Sequence, residues 1–276
     1  MRISRGIGKN RPMLSEEGMI NGIQSIKDLV RIAAMHSPSL FDIVATSAVR
    51  GAGNGVEFST RVQESCGLPL RILSGDEEAL LIGRGLACDP ELSSLGDFFL
   101  FDLGGGSLEC LSFVNRLPVQ AISLPLGSVR LTEKFVSDAT SPVGAPERDA
   151  IAGQVRKLLS ESKFRFSSAG SDAVFTGGSM TTARVILTGG TPLSESSPRI
   201  PVPALRDLAG RVCGLPLSER SQAIPGLPQA RADIFPAALV TMLAIADAGG
   251  FGSFLHSFHN LRYGLAAELL EKTACG

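Results

Sequence analysis

The chain has 276 residues, 44% of them hydrophobic, enough apolar material for one large or two medium domains. Charged residues make up 19%, too few for a disordered chain, and 26 Lys and Arg against 27 Asp and Glu leave a net charge of −1. That balance, with no Trp and a single Tyr, excludes a basic nucleic-acid binder that stacks bases and a basic membrane-surface protein.

The segment before Gly18 has no apolar core and does not read as a signal peptide. Ser15 is placed to cap a helix over 16–34, where Met19, Ile20, Ile23, Ile26, Val30 and Ala33 recur at helical spacing. Residues 41–45 read as a short buried strand running on through Thr46 to Arg50. A helix is expected over 56–65, a strand over 71–73, and a further helix from Gly75. This βαβα rhythm predicts an α/β layer. A boundary falls within 92–97. Beyond it, 98–102, 108–114 and 119–124 predict a three-strand meander around a glycine turn. Helices are expected over 146–160, 180–187, 204–213, 234–248 and 261–272, a strand over 173–176, and a surface loop over 189–203. No apolar run approaches the roughly 18 residues of a membrane helix. Cys66, Cys88, Cys110, Cys213 and Cys275 are scattered without a CxxC, the usage of reduced thiols in a cytoplasmic protein.

The strongest local signal is Asp102-Leu103-Gly104-Gly105-Gly106-Ser107, with Glu109 two residues on. Three successive glycines let the backbone aim several N–H groups at one spot, a cradle for phosphate oxygens. An acid at the strand end is placed to hold a divalent cation that bridges to phosphate, and Ser107 adds a hydroxyl. The alternative is a plain hairpin turn, which does not require three glycines between Asp and Ser. A second signal, Thr176-Gly177-Gly178-Ser179, joins a strand to a helix, whose free N–H groups attract anions. By itself it is a common βα turn.

The third signal, Gly75-Asp76-Glu77-Glu78, puts three acids at a helix start. Pairing with the helix dipole accounts for Asp76 and Glu77. Glu78 qualifies as a general base if it faces a cleft, because phosphoanhydride hydrolysis needs a group to orient and deprotonate water. Arg50, at the end of its strand, would reach the sheet's carboxyl edge, where a cation suits phosphate. His256 and His259 have no third ligand and read as packing or surface residues. Arg231, Asp233 and Arg262 stand at helix starts, with an ion pair as their plain reading.

In order along the chain stand Val44-Ala45-Thr46-Ser47-Ala48-Val49-Arg50, Ser74-Gly75-Asp76-Glu77-Glu78-Ala79, Asp102 to Glu109, and Ser123-Leu124-Pro125-Leu126-Gly127-Ser128-Val129-Arg130-Leu131-Thr132-Glu133. Gly177-Gly178, Arg231-Ala232-Asp233-Ile234-Phe235-Pro236 and Leu261-Arg262-Tyr263-Gly264 follow. The ordered set resembles the exopolyphosphatase / guanosine pentaphosphate phosphohydrolase family over nearly the whole chain. The resemblance implies an α/β actin-like fold of two ribonuclease-H-like domains around a cleft, here 1–95 and 96–276, with the last helix packing back on the first domain. It implies Mg²⁺-dependent hydrolysis of terminal phosphoanhydride bonds of inorganic polyphosphate, guanosine pentaphosphate or both, and a homodimer. By motif position Glu78 would be the base. Asp102 and Glu109 would serve the metal. Arg50, Gly104, Gly105, Gly106, Ser107, Gly177 and Gly178 would hold phosphate. The chain contains no His-Asp dipeptide of the kind the family's longer members carry, and it resembles the short two-domain form.

One departure stands out. The family opens with a hairpin bearing an Asp-x-Gly-Ser-Asn-Ser loop, and here the segment from Met1 to Gly8 resembles the family's third strand instead. On that reading the first domain is incomplete, lacking a phosphate loop and leaving an apolar sheet edge to be covered. The ordered motifs and Glu78 put a hydrolase first, the missing phosphate loop puts a non-catalytic phosphate or nucleotide sensor on the same scaffold second, and a kinase of the same fold comes third. Arg50, Arg130 and Arg231 are the candidates to line the cleft, and the near-neutral surface favours a short polyanion over a long one.

Overall fold

The computed structural model describes residues 3–166 and 172–274. Ser15 caps α1 (Glu16–Ala34), its hydroxyl accepting the Gly18 N–H at 3.0 Å, while Glu16 and Glu17 oppose the helix dipole. Met19 is the fully buried residue of this helix; Ile20, Leu29 and Ile32 stay exposed. β1 (Ile43–Ala45) runs into α2 (Ser47–Arg50), then α3 (Gly55–Cys66) and β2 (Leu70–Ile72), which pairs parallel to β1. A small core of Leu14, Met19, Val49, Phe58, Val62 and Leu70 joins α1 and α3 to this two-stranded sheet.

α4 (Gly75–Ala87) leads to the second sheet. β3 (Phe98–Leu103), β4 (Leu108–Val114) and β5 (Leu117–Leu124) form the expected antiparallel meander. β6 (Asp172–Thr176) continues parallel beside β3, and β8 (Ser253–His256) parallel beside β6. β7 (Arg199–Pro201) closes the edge antiparallel, giving the order β5-β4-β3-β6-β8-β7. The intervening helices are α5 (Ser128–Phe135), α6 (Ala145–Glu161), α7 (Gly178–Leu187), α8 (Val202–Cys213), α9 (Leu217–Ala223), α10 (Phe235–Gly249) and α11 (Leu261–Ala274).

All six residues of β3 are buried, because both faces of the strand are covered. Phe99, Phe101 and Leu103 face a large core with Val155, Leu208 and Leu239 of α6, α8 and α10. Phe98 and Leu100 face the other way, with Leu111 and Phe113, against Ala79, Ile82 and Leu86 of α4. α11 then lies on α4. A Cβ at Gly264 would sit 1.8 Å from the Leu81 carbonyl oxygen, and one at Gly85 2.1 Å from that of Asn260, so only glycine permits this approach. Arg71 also bonds Glu268 on α11 at 3.0 Å.

Several expectations are corrected. Residues 3–8, expected as a strand, form turns; the Gly6 and Gly8 N–H groups point at the Glu133 carboxylate (2.6 and 2.8 Å), which removes them from any sheet. Met1 and Arg2 lie outside the described residues, as does Cys275. Arg50 ends a helical turn rather than a strand, because β1 stops at Ala45 and Thr46 is extended ahead of α2. The segment 189–203 contains β7, whose Ile200 joins the core. β8, α5 and α9 were not anticipated; each is too short for its periodicity to declare a period. Among the described residues no helix is long and apolar enough to cross a membrane.

Candidate active site

Strand alternation places the acids. On β3, Asp102 shares the parity of Phe98 and Leu100, and on β4 Glu109 shares that of Leu111 and Phe113. Both carboxylates therefore lie on the face toward α4, directly opposite one another in the antiparallel register. The first turn of α4 supplies the third acid. Its three acidic residues separate by role. Glu77 closes a capping box with Ser74, Asp76 is exposed, and Glu78 is buried, 6% exposed.

Arg50 Nη1 donates to Glu78 Oε2 and to the Leu73 carbonyl, both at 2.8 Å. Burial raises the Glu78 pKa; the hydrogen bonds and charge of Arg50, with a bond from Thr46, work against that rise. Burial pushes Asp102 up to about 6, offset by a hydrogen bond from Thr176 and reinforced by the Glu78 charge. Burial raises Glu109 further, and the negative charges of Glu78 and Asp102 add to it. Ser123 Oγ donates to Glu109 Oε1 at 2.7 Å.

The glycine loop is polarised by the helix that follows β5. The first N–H groups of α5 donate to its carbonyls, Ser128 to Gly104 at 3.0 Å and Val129 to Gly105 at 2.9 Å. The Gly104 N–H is used by the Ser107 carbonyl. The N–H groups of Gly105, Gly106 and Ser107 have no acceptor among the described residues. Gly127 makes this possible: a Cβ there would fall 2.3 Å from the Gly105 carbonyl and the Gly106 nitrogen. The second loop meets the first. Gly177 has φ +94°, and a Cβ on it would approach Asp102 Oδ1 to 2.8 Å. Arg231 stacks its guanidinium where a Gly178 side chain would be, at the start of α7.

A cavity of about 320 Å³ opens between these pieces, lined by Ser47, Arg50, Gly75, Ser107, Ser123 and Arg130 among others. A larger hollow of about 640 Å³ lies beside α8 and α10, where Asp247 is paired with Arg206 at 2.8 Å; none of the acids or glycine loops singled out from the sequence lines it. Asp102, Glu109 and Glu78 thus come together, with Arg50 and Ser107 at the cavity wall and Gly177 against Asp102. His256 stays apart, 2% exposed, between Thr181 Oγ1 at 3.0 Å and Arg184 Nη1 at 3.1 Å. Arginine can only donate, so Nδ1 of His256 accepts and Nε2 carries the proton. His259 lies by Asp89 at 3.3 Å. Ser47 and Ser123 were not singled out from the sequence. Ser123 stands opposite Glu109 in the β4–β5 register, and that pairing is the signal that finds it.

A meander-led six-stranded sheet, a second small parallel sheet, and glycine turns meeting at the strand ends define a protein of the actin-like α/β class. The exopolyphosphatase of Cytophaga hutchinsonii superposes with a TM-score of 0.83 at 20% identity, over 97% of this chain and 87% of that one. An uncharacterised protein of Streptomyces coelicolor is 32% identical over 238 residues, 84% of this chain and 69% of that protein. Exopolyphosphatase 1 of Mycobacterium leprae is 31% identical over 219 residues, 76% of this chain; the match spans 62% of the leprae protein's length. The model of the Ppx/GppA phosphatase family matches residues 1–272, and the chain belongs to that family.

Proposed function

We propose that this chain hydrolyses terminal phosphoanhydride bonds of inorganic polyphosphate, guanosine pentaphosphate or both, releasing phosphate with Mg²⁺ as cofactor. One observation carries the reading. Glu78 is buried and held by Arg50, which lines the cavity together with Ser107 of the glycine loop, and the Gly105, Gly106 and Ser107 N–H groups have no acceptor among the described residues. Glu78 accepts the proton of the attacking water; its raised pKa brings it nearer the working pH of a general base. Arg50 keeps the carboxylate in one orientation and puts positive charge beside the phosphate. The Gly105, Gly106 and Ser107 N–H groups take phosphate oxygens, with Gly104 shaping the turn and the Ser107 hydroxyl assisting. Gly177 and Gly178 present the second loop beside Asp102.

Asp102 and Glu109 fit a hard divalent cation. They face each other in register, and burial first, with neighbouring negative charge adding to it, drives each toward protonation, a cost that a bound cation would relieve. Among the described residues no group of three or more His, Cys, Asp or Glu forms a ready-made metal cage. Mg²⁺ suits such a pair, since it ordinarily keeps water and phosphate oxygens as its other ligands. Bound there, it would neutralise charge on the phosphates.

Phosphate release from each substrate, with and without Mg²⁺ and beside Glu78→Gln, tests the reading. The expected result is release that needs Mg²⁺ and falls by about 10²–10⁴-fold in the variant. Release that survives Glu78→Gln would sink the mechanism. Binding without release would favour the sensor, and ATP consumption that depends on an acceptor would favour the kinase. The reading also takes 1–95 and 96–276 as the two domains and places the protein in the cytoplasm as a homodimer. The exposed apolar residues Ile20, Leu29, Ile32 and Met35 support the last point.

A further inference from the structure

We propose that Arg130 is a substrate-binding residue, taking a phosphate group of the polyanion on the side of the cavity away from Glu78. The proposal rests on the hydrolase reading above and adds to it a group outside the glycine loops. Arg130 sits in the first turn of α5, half-buried. Its Nε donates to the Gly106 carbonyl at 2.9 Å and its Nη1 to the Ile7 carbonyl at 3.0 Å. Nη2 makes no hydrogen bond among the described residues, and it lies 3.8 Å from where a Gly51 Cβ would be, at the cavity wall.

No carboxylate neutralises this guanidinium by an ion pair among the described residues. Glu133, whose charge acts on Arg130 from a distance, spends both oxygens on the Gly6 and Gly8 N–H groups. Burial lowers the Arg130 pKa, the Glu133 charge works against that, and the charge of Arg50, which faces the same cavity, adds to the lowering. Two guanidiniums and three serine hydroxyls, those of Ser47, Ser107 and Ser123, therefore line one cavity. Two guanidiniums held at one wall by fixed backbone carbonyls favour an anion placed between them. Because Arg50 is tied to Glu78, where the attacking water belongs, Arg130 is left for the next phosphate group along the chain.

The test is calorimetric binding of inorganic tripolyphosphate with Mg²⁺, in a Glu78→Gln background that prevents turnover. Arg130→Met, Arg130→Lys and Glu133→Gln are compared with that parent. Glu133→Gln loosens the same N-terminal turn without removing the guanidinium, and thermal midpoints are recorded for all four proteins. The expected result is a loss of affinity of tenfold or more in Arg130→Met, with a shallower salt dependence. Arg130→Lys should recover part of it, and Glu133→Gln should bind as the parent does. Equal losses in Arg130→Met and Glu133→Gln, or no loss in either, would make Arg130 a structural tie and overturn the proposal while leaving the hydrolase standing. A parent that binds no tripolyphosphate would overturn both.

Discussion

The two sheets are built to different standards of self-sufficiency. The six-stranded sheet is covered on both faces, and Phe99, Phe101, Phe175 and Phe254 pack as a ring cluster with centroids 5.2–6.5 Å apart. The first sheet has two strands of three residues, and its longest helix buries Met19 fully while exposing Ile20, Leu29 and Ile32. A short parallel pair of strands is too small to be stable alone. Its order comes from the larger sheet, through Glu133 on the N-terminal turn, Arg130 on Ile7, and α11 on α4 and Arg71. The three acids of the candidate site stand on the larger sheet and on α4 packed against it, while Arg50, which holds Glu78, comes from the first region, so the site's geometry depends on the weaker half being held in place.

The largest effect that would break the comparison is at the junction. Gly264→Val drives a side chain into the Leu81 backbone, and we expect thermal unfolding at a much lower temperature with loss of activity. A packed core change such as Leu100→Ala costs about 2–5 kcal/mol, so it sets the scale for denaturant titration of both variants. If Gly264→Val leaves the midpoint unchanged, the first region does not depend on α11.

His256 gives an intermediate effect and a sign. Burial and the Arg184 charge lower its pKa to about 4, so the unfolded chain binds the extra proton between about 6.5 and 4. The neutral imidazole is therefore the form compatible with folding, and stability is lost as pH falls through that window. Relative to His256→Asn, wild type should lose about 2 kcal/mol between pH 7 and pH 5. A constant difference between the two midpoints across that range would show that the ring is not held neutral.

Smaller still is Glu133→Gln, which weakens two charge-assisted bonds to an exposed turn and should cost about 1 kcal/mol. Faster amide exchange at Gly6 and Gly8, with β3 still protected, would sharpen the contrast between the regions; unchanged exchange would remove Glu133 from it. The smallest effect is expected for Leu29→Lys on the exposed face of α1, within about 0.5 kcal/mol for a monomer. A larger loss, dependent on protein concentration, would mean that a second copy covers that face.

Long elements were legible in the sequence because their residues carry their own period. The 16–34 helix matched end to end, and the meander over 98–124 was read as three strands around the glycine turn. The short pieces were not legible. Residues 3–8 resemble a strand of the family, yet the Glu133 carboxylate, 127 and 125 positions away, takes the Gly6 and Gly8 N–H groups. Arg50 was read at the end of a strand and sits on a helical turn, although it still reaches Glu78.

The sequence by itself determined which residue types stand at the strand ends and helix starts: Asp102 before three glycines, Glu78 in a capped first turn, and Gly177-Gly178 ahead of α7. It did so because capping, glycine turns and strand alternation are local rules. Only the tertiary structure decided that Glu78 of the three acids is buried, that α5 consumes the carbonyls of the glycine loop while the Gly105, Gly106 and Ser107 N–H groups find no acceptor among the described residues, and that Arg130 shares a cavity with Arg50. Those facts depend on pairs of residues far apart in the chain, joined by strand register and by close backbone approach at glycine, which no local pattern encodes.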